Sequence, residues 1–114
     1  MNLIGKKSPA FNVSAIKQGN MMTLSDKELL GHYSVLFFYP LDFTFVCPTE
    51  IHALQAKMAE FEKRDARVYA ISVDSIHAHR AWLSTPKSKG GVAGVTYTLI
   101  SDMQRQLATA YGVL

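Results

Sequence analysis

One stretch, Ser34 to Phe61, limits what this chain can fold into. It opens with Val35-Leu36-Phe37-Phe38-Tyr39, an apolar, aromatic-rich run too short for an ordinary helix, which predicts a strand buried on both faces. Pro40 ends the strand, because proline has no N–H to give to a sheet ladder. The loop Leu41 to Cys47 then leads to Pro48-Thr49-Glu50, after which Ile51, Leu54, Met58 and Phe61 recur at helical spacing. That spacing predicts one helix reaching about Lys63. The only cysteine therefore falls where a buried strand gives way to a helix.

Position alone carries chemistry. Pro48 suits the first helical residue, where its missing N–H costs nothing. Cys47 then faces unpaired backbone N–H groups and the positive end of the helix dipole. Both favour thiolate over thiol and push the pKa below the roughly 8.5 of a free cysteine. The plainer alternative is a buried, inert thiol.

The flanking sequence supplies the frame. Ala10 to Ile16 alternates, and Lys17-Gln18-Gly19-Asn20 is turn chemistry before Met21-Met22-Thr23-Leu24, which predicts an N-terminal β-hairpin. Ser25-Asp26-Lys27-Glu28 has the form of a capping box, and Gly31 stops the turn or two that follow. After the polar turn Arg64-Asp65-Ala66 comes a second apolar run, Val68 to Val73, so strand, helix and strand read as a βαβ unit with parallel strands. Asp74 or Ser75 caps a helix carrying Ile76, Arg80 and Leu83 on one side, which ends before Pro86. Lys87 to Gly94 reads as a flexible glycine-rich connector; it lacks the Gly-Lys-Ser/Thr of a phosphate loop. Tyr97 to Ile100 is a third parallel strand, and Ser101 or Asp102 caps a helix bearing Met103, Leu107, Ala110 and Tyr111, closed by Gly112. Together these give one domain over residues 1–114, an α/β three-layer sandwich around a mostly parallel sheet.

Composition excludes several functions. Twelve Lys+Arg against nine Asp+Glu leave a formal charge of +3, but the basic residues are scattered without an aromatic-interleaved stripe, so no nucleic-acid surface is expected. No signal peptide is visible, and no apolar run approaches the ~20 residues needed to span a bilayer. One cysteine cannot build an intrachain disulfide framework, which suits a reducing, cytoplasmic setting. His77-Ala78-His79 invites a metal reading, yet i and i+2 on a helix point to different faces, so no metal is expected. Cys47-Pro48-Thr49-Glu50 is not a C-x-x-C redox pair, since Glu50 stands at the second thiol's place. Trp82 reads as helix packing.

Phe38-Tyr39-Pro40-Leu41-Asp42-Phe43-Thr44-Phe45-Val46-Cys47-Pro48-Thr49-Glu50 resembles the peroxidatic-cysteine motif of the typical two-cysteine peroxiredoxins, whose familiar bacterial member is the peroxidase component of alkyl hydroperoxide reductase. The likeness continues through Ala70-Ile71-Ser72-Val73-Asp74-Ser75, Ala81-Trp82 and Tyr111-Gly112-Val113-Leu114. The resemblance narrows the fold to a thioredoxin-like one. It implies a thiol-specific peroxidase, acting on hydrogen peroxide and organic hydroperoxides in antioxidant defence and needing no cofactor. Cys47 would be the nucleophile that becomes a sulfenic acid, Thr44 would bond the thiolate and orient the peroxide, and Pro40 would shield the sulfur. Glu50 would support the site by orienting an arginine. The implied partners are thioredoxin or a flavoprotein disulfide reductase as reductant, and copies of the chain in a homodimer or ring of dimers.

The chain departs from that pattern at its far end. The family's arginine, two further antiparallel strands and the resolving cysteine all correspond to positions beyond Leu114, and Arg64, Arg67, Arg80 and Arg105 match other places. The resemblance therefore implies an N-terminal portion, with the C-terminal part of the fold missing, an open sheet edge and slow oxidation. The alternative function is a non-catalytic thioredoxin-like fragment that acts only by association.

Overall fold

The computed structural model describes residues 3–42 and 47–113, with Cys47 and Pro48 described by backbone alone. Five strands form one sheet: β1 (Asn12–Lys17), β2 (Asn20–Ser25), β3 (Tyr33–Phe38), β4 (Ala66–Ser72) and β5 (Thr98–Ser101), in the order β2-β1-β5-β4-β3. Among the described residues four α-helices accompany them: α1 (Cys47–Ala56), α2 (Met58–Lys63), α3 (Ile76–Ser84) and α4 (Gln106–Ala110). β3, β4 and β5 pair in parallel, while β1 pairs antiparallel with both β5 and β2. Only β1 runs against the other four, so the sheet is mostly parallel, with the expected hairpin at one side.

Side-chain alternation divides the core into two layers. On one face Val35 and Phe37 of β3, Val68 and Ala70 of β4 and Leu99 of β5 pack with Ile51 of α1, Phe61 of α2 and Trp82 of α3. On the other, Leu36 and Phe38, Tyr69 and Ile71, and Ile100 meet Phe11 and Leu107 of α4. This is the period of two that a pleated strand imposes, and it delivers the three-layer sandwich. The hairpin turn places Gln18 and Gly19 at φ 50° and 85°, both left-handed, as a tight two-residue connection requires. Ser25 donates to Glu28 Oε2 through its backbone N–H (2.7 Å) and its hydroxyl (2.8 Å), so the capping box forms, over a single 3-10 turn at Asp26–Leu29. The Ser25 N–H, with its hydroxyl, holds the Glu28 carboxyl below its ordinary pKa.

The structure corrects four expectations. The Val35–Tyr39 run meets a core layer on each face but is less buried than expected: β3 pairs only with β4 among the described strands, its residues are mostly half-buried, and Tyr33 at its start is 76% exposed. The enclosed strands are β4, buried from Val68 to Ser72, and β5, buried along its whole length between β1 and β4. The helix expected to run to about Lys63 breaks at Lys57, whose N–H closes back on the Leu54 carbonyl in a tighter i→i−3 turn (3.1 Å). The last helix is also shorter than its apolar spacing suggested. Arg105 is left-handed (φ 56°), α4 starts after it, and Met103 is 61% exposed outside the helix. Asp102 still caps α4, accepting from Leu107 N and Ala108 N (2.9 Å each).

The fourth correction concerns Lys87–Gly94, which is not a loose connector. Val92 is fully buried, Trp82 Nε1 donates to the Gly90 carbonyl (2.9 Å), and the Gly91 carbonyl accepts from His52 of α1 (3.1 Å). A Cβ at Gly91 would lie 2.1 Å from the Thr85 carbonyl oxygen, and that oxygen is itself held by Ala93 N (3.1 Å). Glycine is needed there for close approach, not for flexibility. Gly91→Ala is expected to lower stability by about 1–3 kcal/mol. A urea titration would show it as a lower midpoint at unchanged slope, and an unchanged midpoint would mean the strap is not packed as described.

Candidate active site

α1 begins at Cys47 itself, one residue before Pro48. The helix is fixed from the side by β5 and the segment before it. Ile51 is fully buried, and its carbonyl accepts from the Tyr97 hydroxyl (2.7 Å). Gln55 grips Thr96 twice: its Oε1 accepts from Thr96 N (2.9 Å) and its Nε2 donates to the Thr96 hydroxyl (3.0 Å). The Cys47 backbone thus starts a helix whose placement is set by a buried apolar contact and paired polar groups.

The chain reaches that helix from the end of β3. Tyr39 N donates to the Ile71 carbonyl (2.9 Å), carrying the parallel ladder one residue past the strand. The Tyr39 ring is buried against Trp82, with centroids 5.6 Å apart, and its hydroxyl donates to Asp42 Oδ1 (2.6 Å). Burial, aided by the Asp42 carboxylate, pushes the Tyr39 hydroxyl well above its ordinary pKa and keeps it a donor. The other Asp42 oxygen lies 2.7 Å from His79 Nδ1, and His79 Nε2 donates to the Ile100 carbonyl (2.9 Å). Asp42 N donates to Asp74 Oδ2 (2.7 Å), which also accepts from the Ser72 hydroxyl (2.7 Å). The root of the loop is therefore tied by its side chain and its backbone to β4, β5 and α3.

Of the residues expected to carry chemistry, Cys47 stands at the helix start by its backbone, while Thr44 lies outside the described residues. Pro40 is exposed and lines a cavity of about 410 Å³, together with Phe38, Ser72, Asp102 and Arg105, at the C-terminal ends of the parallel strands. Open α/β sheets bind ligands at that end. Glu50 is exposed in the first turn of α1, where the dipole favours a carboxylate. Sequence reasoning missed Asp42, Asp74 and His79. It weighed His79 only with His77, yet His77 is exposed and His79 fully buried. The available signal was helical spacing, which puts His79 midway between Ile76 and Trp82 on the apolar side of α3.

Donor atoms of Asp42, Asp74 and His79 fall within 4.8 Å of one another, a grouping that metals use. Here hydrogen bonds account for them. Nδ1 and Oδ2 at 2.7 Å share a proton, whereas ligands held ~2 Å from one ion in a tetrahedron stand more than 3 Å apart.

Residues 4–114 match the AhpC/TSA family. The chain belongs to that family. Peroxiredoxin-2 of Bos taurus is 45% identical over 111 residues, which make up 97% of this AhpC/TSA chain and 56% of that protein. The mitochondrial thioredoxin-dependent peroxide reductase of Rattus norvegicus is 46% identical over 97% of this chain and 43% of its own length. Among structures, AhpC of Enterococcus faecalis superposes with a TM-score of 0.93 at 37% identity, covering 100% of this chain and 66% of that one. Reduced 2-Cys peroxiredoxin of Plasmodium vivax gives 0.91 at 40% identity, over 96% and 69%. The fold is thus the thioredoxin-like fold of the peroxiredoxins, and the chain spans about half the length of the curated relatives it matches.

Proposed function

We propose that this chain carries a thiol peroxidase centre whose nucleophile is Cys47. The observation that supports it best is the placement of the family's cysteine as the first residue of α1, where the unpaired N–H groups and the dipole favour a thiolate. The thiolate attacks one oxygen of a hydroperoxide. An S–O bond forms as the O–O bond breaks, and the leaving alkoxide or hydroxide takes a proton to become alcohol or water. The peroxide is reduced by two electrons, and Cys47 is oxidised to a sulfenic acid. In this reading the Thr44 hydroxyl donates to the thiolate and orients the peroxide, Pro40 limits water at the sulfur, and Glu50 organises charge in the first turn of the helix.

A dithiol returns the sulfur to the thiol. The thioredoxin-dependent name of the rat relative supports a thioredoxin-type reductant, and a flavoprotein disulfide reductase is the other candidate. A single cysteine supports work in a reducing compartment such as the cytoplasm. Among the described residues no helix is long and apolar enough to cross a membrane. The edge of β3 that no strand covers among the described residues favours a second reading, association without catalysis through strand pairing. The test is a brief peroxide pulse followed by a sulfenic-acid-trapping dione. A mass shift on the Cys47 peptide of folded protein is expected, and its absence from intact, folded protein refutes the peroxidase.

A further inference from the structure

We propose that the buried Asp42–His79 pair sets the reactivity of Cys47 by fixing the root of the loop that leads to it, an inference that rests on the redox reading above. His79 is fully buried and Asp42 is 7% exposed. The proton inventory defines the pair. Ile100's carbonyl only accepts, so Nε2 carries a hydrogen. The Tyr39 hydroxyl supplies Asp42 Oδ1, which leaves one proton between Oδ2 and Nδ1 at 2.7 Å. Whichever atom holds that proton, removing the imidazole strands a buried carboxyl oxygen, and the cost of leaving it without a partner favours a shift of Asp42 toward water.

Asp42 itself is what shifts. Asp42 lies two residues before Thr44 and five before Cys47 in the sequence, so a shift at its Cα moves the point from which the chain runs on to Cys47. α1 itself stays held through Ile51 and Gln55. Misplacing a reacting group by about 1 Å can cost on the order of 10²-fold in rate. His79 is thus a positioning residue that acts through Asp42.

The two halves of the imidazole can be removed separately. The Asn amide nitrogen sits as many bonds from Cβ as Nδ1, and the Gln amide nitrogen as many as Nε2. His79→Asn keeps a donor for Asp42, whereas His79→Gln keeps only the one for Ile100. With the 114-residue chain, the second-order rate constant for hydrogen peroxide and the pH profile of Cys47 alkylation by iodoacetamide are measured for both variants. Leu24→Ala, in the opposite core layer, serves as a destabilised control. His79→Gln is expected to slow oxidation about tenfold or more, and His79→Asn about threefold at most, while Leu24→Ala reacts as the wild type does. A folded His79→Gln protein that reacts at the wild-type rate, or an equal loss in Leu24→Ala, overturns the proposal. If His79→Gln does not fold, Tyr39→Phe decides, since it keeps its ring packing and loses one bond to Asp42: a rate about threefold lower supports the pair and an unchanged rate overturns it. If wild-type protein is not oxidised at all, the peroxidase reading fails. The alkylation profiles then still judge the positioning, which requires the same order of variants.

Discussion

Peroxide consumption by the Cys47→Ser protein, with excess dithiothreitol present, is expected to fall to the rate of the buffer and thiol alone. The wild-type chain should exceed that rate by about 10²-fold or more. A serine hydroxyl is nearly isosteric with the thiol, but it is not ionised at a helix start and has no stable oxidised rung to occupy. Replacement therefore removes the redox step and leaves the helix in place. The anchors of α1, Ile51 buried at 0% exposure and the Gln55–Thr96 pair, lie one to two turns further along and do not depend on the sulfur. Matching circular dichroism and urea midpoints for the two proteins would establish that the fold is unchanged. Equal background rates in wild type and variant would then rule out the peroxidase and leave association through the β3 edge as the function of the chain.

The place of Cys47 at a helix start was legible in sequence because every signal for it is local. An apolar run, a proline, a loop and a helical period locate the start of α1 to within one residue, with no knowledge of what packs where. The support beneath the loop was not legible. Asp42 and His79 are 37 positions apart, and nothing short-range says that α3 will lie against the end of β3. The nearest motif pointed the wrong way, since His77-Ala78-His79 draws attention to a neighbour that turns outward. A histidine spaced with Ile76 and Trp82 on the apolar side of a helix is the pattern that announces a buried imidazole in need of two partners.

The fold divides along the same line. Pairwise-local features came through: the hairpin, the Ser25–Glu28 box, the βαβ unit and the Asp102 cap. The depth at which β3 is buried was overestimated because an apolar run reports what covers the two faces of a strand and says nothing of its edges. Val35 and Phe37 meet one layer and Leu36 and Phe38 the other, as a doubly faced strand requires, yet the outer backbone edge has no described strand beside it. Lys87–Gly94 was misjudged for the converse reason. Glycine permits both flexibility and close approach, and only the position of the Thr85 carbonyl decides which is in use.

Trp82→Ala is expected to bring the chain close to unfolding. Trp82 is fully buried, packs on Tyr39 and donates Nε1–H to the Gly90 carbonyl, while its own carbonyl accepts from Val92 N (3.1 Å). Truncating such a residue costs about 3–5 kcal/mol. A domain of this size has about 5–15 kcal/mol in total, so the loss takes a large share of it. With a urea slope of about 1–3 kcal/mol per molar, the midpoint should fall by at least about 1 M. Trp82→Phe should cost less, because a ring stays against Tyr39 while the bond to the Gly90 carbonyl is lost. A midpoint for Trp82→Ala equal to that of an exposed substitution such as Arg80→Ala would show that this residue does not close the layer beneath the loop. In that case Trp82 would not be the wall that holds Tyr39, and through it Asp42, in place.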